Sequence, residues 1–487
     1  MIRVTGETAH RIDRRIYGQF VEHLGRGVYE GLWVGEESDI PNKNGLRSDA
    51  IAALRHIRVP LVRWPGGCFA DDYAWMNGVG PERRAMVNTN WGDVIDPSTF
   101  GTHEFFELLH QLDAEAYVNG NVGSGTVAEM RDWIEYMTLA AGTPMADLRA
   151  RHGREQPFRV AYFGVGNESW GCGGNMTALH YANLYRQYQT YVRDYGDDHI
   201  AKVACGADSD DYQWTEVLMA RAATMMDGLS VHYYTRPTGQ WDTKGSATDF
   251  DERDWTATVE QARRMDEILT RHRRIMDRFD PAQRISLIVD EWGTWYDRDP
   301  QYPRGSLYQQ STVRDAVTAA LTLNIFHRHG ARVRMANIAQ MVNVLQAMLL
   351  TDGPALVTTP TYHVFDLYTD HHDADAVQTQ GAAGDRPGRI GLDGDYTVSR
   401  TGDDYAISVT NTSPRQSLAA SFELPGAVRD VVRAQFVEAA RITSLNTFAD
   451  PGQVRLADLT GCRVSGSRLE FELPPHSVAT VRVTVGS

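Results

Sequence analysis

Short apolar runs rich in β-branched and aromatic residues alternate with longer stretches of helical period from residue 14 to about 355. That alternation is the pattern of strand–helix units closing on a parallel sheet. Eight strand-like runs stand at 16–23, 60–67, 115–123, 162–169, 202–209, 228–234, 285–292 and 333–340. Amphipathic stretches at 48–57, 102–113, 127–140, 175–196, 214–226, 256–279 and 311–330 fill the intervals. Eight strands with helices between them predict a (β/α)8 TIM barrel over 14–355. The runs are apolar in their first halves and carry Gly, Asn, Glu, His, Asp or Trp towards their ends. Polar chemistry is therefore gathered at the C-terminal strand ends, where barrel active sites are built.

Past 355 the period shortens to two. Stretches such as DYTVSRTGDDYAISVTNTS, RLEFELPP and VATVRVTV, separated by turns, predict an all-β sandwich over 356–487. The opening segment, 1–13, begins with the strand-like MIRVTG and is expected to pair with that C-terminal domain. The chain, at 487 residues, is long enough for both units.

Charge and cysteine content narrow the function classes. The net charge of −15 is unbroken by any Lys/Arg cluster, which argues against a nucleic-acid partner. No run of about 18 apolar residues is present, so no membrane span is expected. The N-terminus, MIRVTGETAHRIDRR, lacks the apolar stretch of a secretory leader, and a cytoplasmic protein is expected. Cys68, Cys172, Cys205 and Cys462 are scattered without C-x-x-C spacing, so four reduced thiols and no zinc site are expected. His232 and Asp208 suggest no metal site, and the His-His-Asp run at 371–373 reads as a solvated loop.

Two glutamates carry the chemistry. Glu168 follows Asn167 at the end of the fourth run, and Glu291 stands between Asp290 and Trp292 at the end of the seventh. Strands four and seven face each other across an eight-stranded barrel, so both carboxyl groups can enter one pocket. Retaining glycoside hydrolysis needs such a pair, at about 5–5.5 Å, one protonated to assist the leaving oxygen and one ionised to attack. Glu168, beside an amide suited to a sugar hydroxyl, is the candidate acid/base, and Glu291 the candidate nucleophile. Other strand ends add polar groups suited to hydroxyls: Glu22, His23, Arg63, Asn119, Asn121, Asp208, His232, Tyr234, Asn337 and Gln340. Trp64, Trp75, Trp292, Trp295 and Tyr296 are candidate platforms for sugar rings, although many barrel aromatics are core. The polar stretches GCGGNM and TRPTGQWDTKGSATDF are expected to form pocket walls.

The segments FVEHLGRGVYEGLW, RWPGGCFADDYAWMNGVGP, GNVGSGTVAEM, YFGVGNESWGCGGNM, SVHYYT, VDEWGTWY and NIAQMVNVLQ together resemble the α-L-arabinofuranosidases of glycoside hydrolase family 51. The resemblance implies an acid/base on strand four and a nucleophile on strand seven, an N-terminal segment joined to the C-terminal sandwich, and no cofactor. It further implies that Asn167 and Glu168 form the Asn–Glu acid/base pair and that Glu291 is the nucleophile. Glu22 would bind outer sugar hydroxyls and Arg63 would steady the nucleophile, while His232, Tyr234, Trp295 and Gln340 would line the pocket. Cys68 departs from the pattern, since many members carry Asn there and a thiol lacks an amide's donor and acceptor pair. The expected activity is exo-acting release of L-arabinofuranosyl groups from arabinoxylan- or arabinan-derived oligosaccharides. Another furanosidase or a β-xylosidase with the same mechanism is the alternative, and a silent sugar-binding barrel the reading from a different class. A homo-oligomer, by resemblance a hexamer, is expected.

Overall fold

The computed structural model describes residues 1–303, 305–381 and 388–486. Eight strands close a parallel barrel in chain order: Gly18–Phe20, Leu61–Trp64, Glu115–Gly120, Tyr162–Val165, Ala201–Asp208, Gly228–Thr235, Ser286–Thr294 and Val333–Ile338. Each overlaps its expected run. The runs reach further than the strands at several C-terminal ends, because the residues just past a strand already belong to the pocket.

Helices return the chain outside the barrel at Ser48–His56, Thr102–Leu112, Val127–Thr138, Ala178–Gln189, Tyr212–Ala222, Glu252–Phe279 and Val313–Arg328. Local chemistry sets where they begin. Thr126 accepts from the Glu129 amide while Glu129 reaches back to the Thr126 amide, and Asp251 and Thr312 open later helices in the same reciprocal way. Two helices lie outside the periodic stretches, Pro144–Arg151 and Pro360–Tyr368. Both are short and start with Pro after a Thr cap, so they show little period. The second follows strand eight and packs on the helix before that strand. It is the eighth barrel helix and lies beyond residue 355.

Inside the barrel, Leu61, Tyr117, Val203, Ile288 and Met335 plug the floor. The larger core fills the space between strands and helices, and most of the tryptophans lie there. Trp64 stacks on Phe105 at 4.8 Å and Trp292 meets Phe326 edge-on at 5.2 Å. Trp64, Trp75, Trp292 and Tyr296 are all buried and serve as core. Of the candidate platforms, only Trp295 is partly open.

The C-terminal strands join one 11-stranded sheet, and the N-terminal strand Ile2–Arg11 lies within it, antiparallel to Asp375–Gln380 and parallel to Leu418–Glu423. The sheet turns back on itself in sandwich fashion: Tyr396 and Phe422, on strands that are not neighbours, meet edge-on at 5.6 Å within one apolar cluster. The His-His-Asp run departs from the solvated loop expected of it. His371 is fully buried, with Nδ1 2.7 Å from Ser399 Oγ and Nε2 2.7 Å from Ser408 Oγ, and His372 stacks on Tyr17 at 4.2 Å. The run sits where the last barrel helix turns into the sheet; His371 is satisfied by the two serines and Asp373 pairs with Arg14, while His372 is held by its ring contact and its Nε2 is buried without a partner. No helix among the described residues is long and apolar enough to cross a membrane.

Candidate active site

Strand seven carries Asp290 and Glu291 in succession, which a regular strand would send to opposite faces. Its pairing slips between Val289 and Trp292 on one side, and strand six slips between Ser230 and His232 on the other. These irregularities turn both carboxyl groups and His232 into the barrel mouth, as bulges do. Strand four ends at Val165, and Gly166 (φ 83°) and Glu168 (φ 38°) then bend the chain through left-handed backbone conformations. That bend lets Asn167 and Glu168 face the same pocket.

The sequence Pro65-Gly66-Gly67 follows from crowding at this mouth. A Cβ on Gly66 would lie 2.6 Å from Glu22 Cγ, and one on Gly67 would lie 2.8 Å from Glu291 Oε1. No larger residue fits either place without displacing a carboxylate.

Glu291 is held at both oxygens. Arg63 Nη1 donates to Oε1 at 2.9 Å and the Tyr234 hydroxyl donates to Oε2 at 2.8 Å. Arg63 is fully buried over the Phe20 ring and also donates to Asn167 Oδ1 at 2.5 Å. That bond leaves Asn167 Nδ2 buried without a protein partner, a donor free for a substrate oxygen. His232 sits between the carboxylates. Nδ1 is 2.9 Å from Glu168 Oε1 and 3.5 Å from Glu291 Oε2, while Nε2 is 3.0 Å from Asp290 Oδ1. One oxygen from each glutamate and one His232 nitrogen all lie within 4.8 Å of one another, the close spacing of a retaining pair.

The electrostatics separate the roles. Burial, reinforced by the Glu291 charge, raises the Glu168 pKa and favours its protonated form, against the opposing pull of His232. Burial works against a charged His232, but Glu291, Asp290 and the bonds to Asp290 and Glu168 outweigh it, so the ring is held as imidazolium. Burial likewise disfavours the Asp290 charge, yet Arg63 and His232 keep this carboxyl ionised below its ordinary range. An imidazolium has no lone pair, so the Glu168–His232–Glu291 triangle is not a metal ligand set in this protonation state. Glu168 Oε1 receives the His232 proton, which leaves Oε2 as the oxygen able to carry an acid proton.

Glu22 lies on the far side of the mouth. Oε1 accepts from the Phe69 amide and from Trp91 Nε1, both at 2.9 Å, and Oε2 accepts from Gln340 Nε2 at 3.2 Å. Burial pushes its pKa up to about 7. Trp295 meets Tyr234 edge-on at 4.9 Å and Trp241 at 5.3 Å, forming the open rim. The structure thus brings Glu22, Arg63, Cys68, Asn167, Glu168, His232, Tyr234, Glu291, Trp295 and Gln340 to one mouth.

Of the other strand-end candidates, His23, Asn121 and Asn337 are structural, while Asn119 is buried with neither atom of its side-chain amide bonded. His23 bonds Asp96 and accepts from Trp64, Asn121 ties its own turn, and Asn337 donates to the Gln19 carbonyl. Asp208 accepts from Ser209.

Cys68 and Cys172 are joined in a disulfide, contrary to the four reduced thiols expected; Cys205 and Cys462 are free. The pair is separated by 104 residues, which hides it from any spacing rule, but the turns after strands two and four bring the Cα atoms to 5.5 Å. Asp71 likewise escapes a reading of the sequence. Its oxygens accept from the amides of Val122 (2.7 Å), Gly123 (2.9 Å) and Asn167 (2.6 Å), so it clamps the turns after strands three and four. Its position inside the GGCFADDY stretch is the one available signal. Tyr117, which donates to Asp290 Oδ2 at 2.8 Å, reads simply as a strand aromatic.

Comparison with known proteins agrees with this geometry. Residues 53–255 match the alpha-L-arabinofuranosidase 1 domain and residues 290–477 the alpha-L-arabinofuranosidase C-terminal domain. The chain is 45% identical over 478 residues to an intracellular exo-alpha-L-arabinofuranosidase of Bacteroides ovatus, covering 97% of this chain and 93% of that one. It superimposes on the GH51 arabinofuranosidase of Xanthomonas axonopodis pv. citri with a TM-score of 0.95 at 45% identity, over 99% of both chains. An arabinose complex of the Thermotoga maritima alpha-L-arabinofuranosidase gives 0.87 at 26% identity, again over 99% of both. The chain belongs to the α-L-arabinofuranosidases of glycoside hydrolase family 51.

Proposed function

We propose that this chain is a retaining exo-α-L-arabinofuranosidase in which Glu291 attacks the anomeric carbon and Glu168 is the acid/base. The single observation that carries the assignment is the asymmetry of the carboxyl pair. Glu291 is gripped by Arg63 and Tyr234, whereas burial and the neighbouring charge raise the pKa of Glu168. In the first step Glu168 gives its Oε2 proton to the departing oxygen as Glu291 forms a covalent arabinosyl ester. In the second, Glu168 takes a proton from water, which attacks the same carbon and releases Glu291 with the anomeric configuration retained.

Asn167 Nδ2, Glu22 and Gln340 are assigned to hydroxyls of the bound arabinose, and Trp295 to the leaving-group side. Arabinoxylan- or arabinan-derived oligosaccharides are the proposed substrates, met in the cytoplasm, a reading supported by the intracellular Bacteroides relative. A homo-oligomer, a hexamer by family resemblance, is proposed as well; exposed Val87, Val94 and Ile95 on one hairpin give it an apolar contact patch.

The test is hydrolysis of 4-nitrophenyl α-L-arabinofuranoside, β-D-xyloside and β-D-galactofuranoside by wild type and Glu291→Ala. We expect rapid turnover of the arabinoside, lowered at least about 10⁴-fold in the variant, the scale of losing a nucleophile. Preference for another glycoside would keep the mechanism and reassign the pocket around Cys68.

A further inference from the structure

The oxygen of Glu168 that faces away from His232 is met by sulfur. Oε2 lies 3.4 Å from Cys172 Sγ and 3.9 Å from Cys68 Sγ, and those two atoms are bonded to each other. Neither sulfur carries a proton, so neither can donate a hydrogen bond to Oε2. The disulfide also pins two turns that build the pocket. Cys68 stands between Gly67, which abuts Glu291, and Phe69, whose amide binds Glu22. Cys172 stands four residues after Glu168 and is exposed, so a soluble thiol can reach it.

We propose that the Cys68–Cys172 disulfide is a redox modification site that positions the acid/base: closed, it withholds hydrogen-bond donors from Glu168 Oε2; opened, it supplies one. The reductant is a dithiol. Its thiolate attacks Cys172 Sγ, the S–S bond breaks with Cys68 leaving as thiolate, and a second attack releases Cys172 as the reagent closes to its own disulfide. The dithiol gives up two electrons and two protons, and the protein gains two S–H groups. A thiol at Cys172 then points a donor at Oε2 and stabilises the carboxylate over the acid. The other titratable groups facing Glu168 are His232, Glu291, Tyr234 and Asp208, and none of the four takes part in the thiol exchange. The cytoplasmic site of action proposed above would expose the bond to a reducing pool, which makes its state a variable of the enzyme.

The inference rests on Glu168 being the acid/base, and the two ideas fail separately. Thiols are titrated in denaturant before and after dithiothreitol, and the pH dependence of kcat/KM is measured for both forms on 4-nitrophenyl and methyl α-L-arabinofuranosides. We expect two free thiols rising to four. With the methyl glycoside, whose poor leaving group needs the proton, we expect the reduced form to lose about fivefold relative to the oxidised form at pH 8, the scale of one weak hydrogen bond, and less than twofold at pH 6. Cys68→Ala/Cys172→Ala should not respond to dithiothreitol, and Cys68→Ala/Cys172→Ser, which differs from it only by a hydroxyl donor, should have its alkaline limb at lower pH than the double-alanine variant. Four thiols before reduction, identical pH profiles of the two wild-type forms, or a response to dithiothreitol that survives in the double-alanine variant would each overturn the proposal, and the first two need no variant to fold. Glu168→Ala reports on the underlying reading: a loss no greater on the methyl than on the nitrophenyl glycoside would mean that the acid/base assignment is wrong.

Discussion

At the scale of single residues, the division of labour between two chemically identical side chains comes from what each oxygen touches. Glu291 has a cation on one oxygen and a phenol on the other; Glu168 has one hydrogen-bonded oxygen and one facing sulfur. The Tyr234 hydroxyl is the simplest of these groups to remove. It orients the attacking oxygen and returns to it when the ester breaks, so Tyr234→Phe should lower kcat/KM by about 10- to 100-fold, the range for one charge-assisted hydrogen bond. Because it acts on the nucleophile, nitrophenyl and methyl arabinofuranosides should suffer alike. A loss confined to the methyl glycoside would instead couple Tyr234 to the acid. Side-chain type and strand-end position made most of these residues legible in the sequence. Asp71 and Cys172 were not, because their partners are a backbone turn and a cysteine 104 residues away.

At the scale of elements, period and polarity located all eight barrel strands, since an apolar start and a polar end are imposed by burial and by the pocket. The irregularities that make the site work were invisible. Nothing in the letters Val-Asp-Glu-Trp announces the slipped register that sends Asp290 and Glu291 to the same side, and the two unanticipated helices are too short to show a period. Strand seven is braced from behind by the helix that follows it. Asp315 caps that helix by accepting from the Thr312 amide at 2.7 Å, and it also accepts from the Thr294 hydroxyl at 2.6 Å and the Tyr296 hydroxyl at 2.9 Å. Asp315→Ala would strip four buried donors of this acceptor at once, the Thr312 hydroxyl at 3.3 Å being the fourth. At about 1–3 kcal/mol for each unsatisfied group, partly relieved by relaxation, we expect destabilisation by at least about 3 kcal/mol, read from urea unfolding. Asp315→Asn, which keeps one acceptor oxygen, should recover about half. Equal stability of the two variants would mean that the Thr294 and Tyr296 hydroxyls find other partners.

At the scale of the whole molecule, barrel and sheet are fastened through buried polar groups, among them His371 from the run that the sequence pattern assigned to a solvated loop. Asn324 and Arg328 on the barrel helix donate to Asp395 in the sheet, His327 meets Thr397 at 3.0 Å, and His371 bridges Ser399 and Ser408. Burial lowers the pKa of His371 to about 4, with Asp370 opposing, and burial also lowers His327 and His372. The seam therefore holds neutral rings. An unfolded chain takes up a proton at His371 below about pH 6.5, while the folded chain refuses it down to about pH 4. The unfolded state binds more protons across that window, so this contribution is complete above pH 6.5 and is lost as the pH falls from there towards 4. His371→Gln, which keeps a donor and an acceptor but does not titrate, isolates the effect from the other buried groups. At pH 7.5 the variant should be less stable by about 1–2 kcal/mol, because the shorter amide can reach only one of the two serines and forfeits the hydrogen bond to the other. At pH 5 the difference should shrink or invert, moving by about 2 kcal/mol because each pH unit below the unfolded value is worth about 1.4 kcal/mol. Urea unfolding of both proteins at the two pH values measures this directly. A gap that stays constant between them would mean that His371 is protonated within the folded seam, and that the joint tolerates acid by some route other than a neutral imidazole.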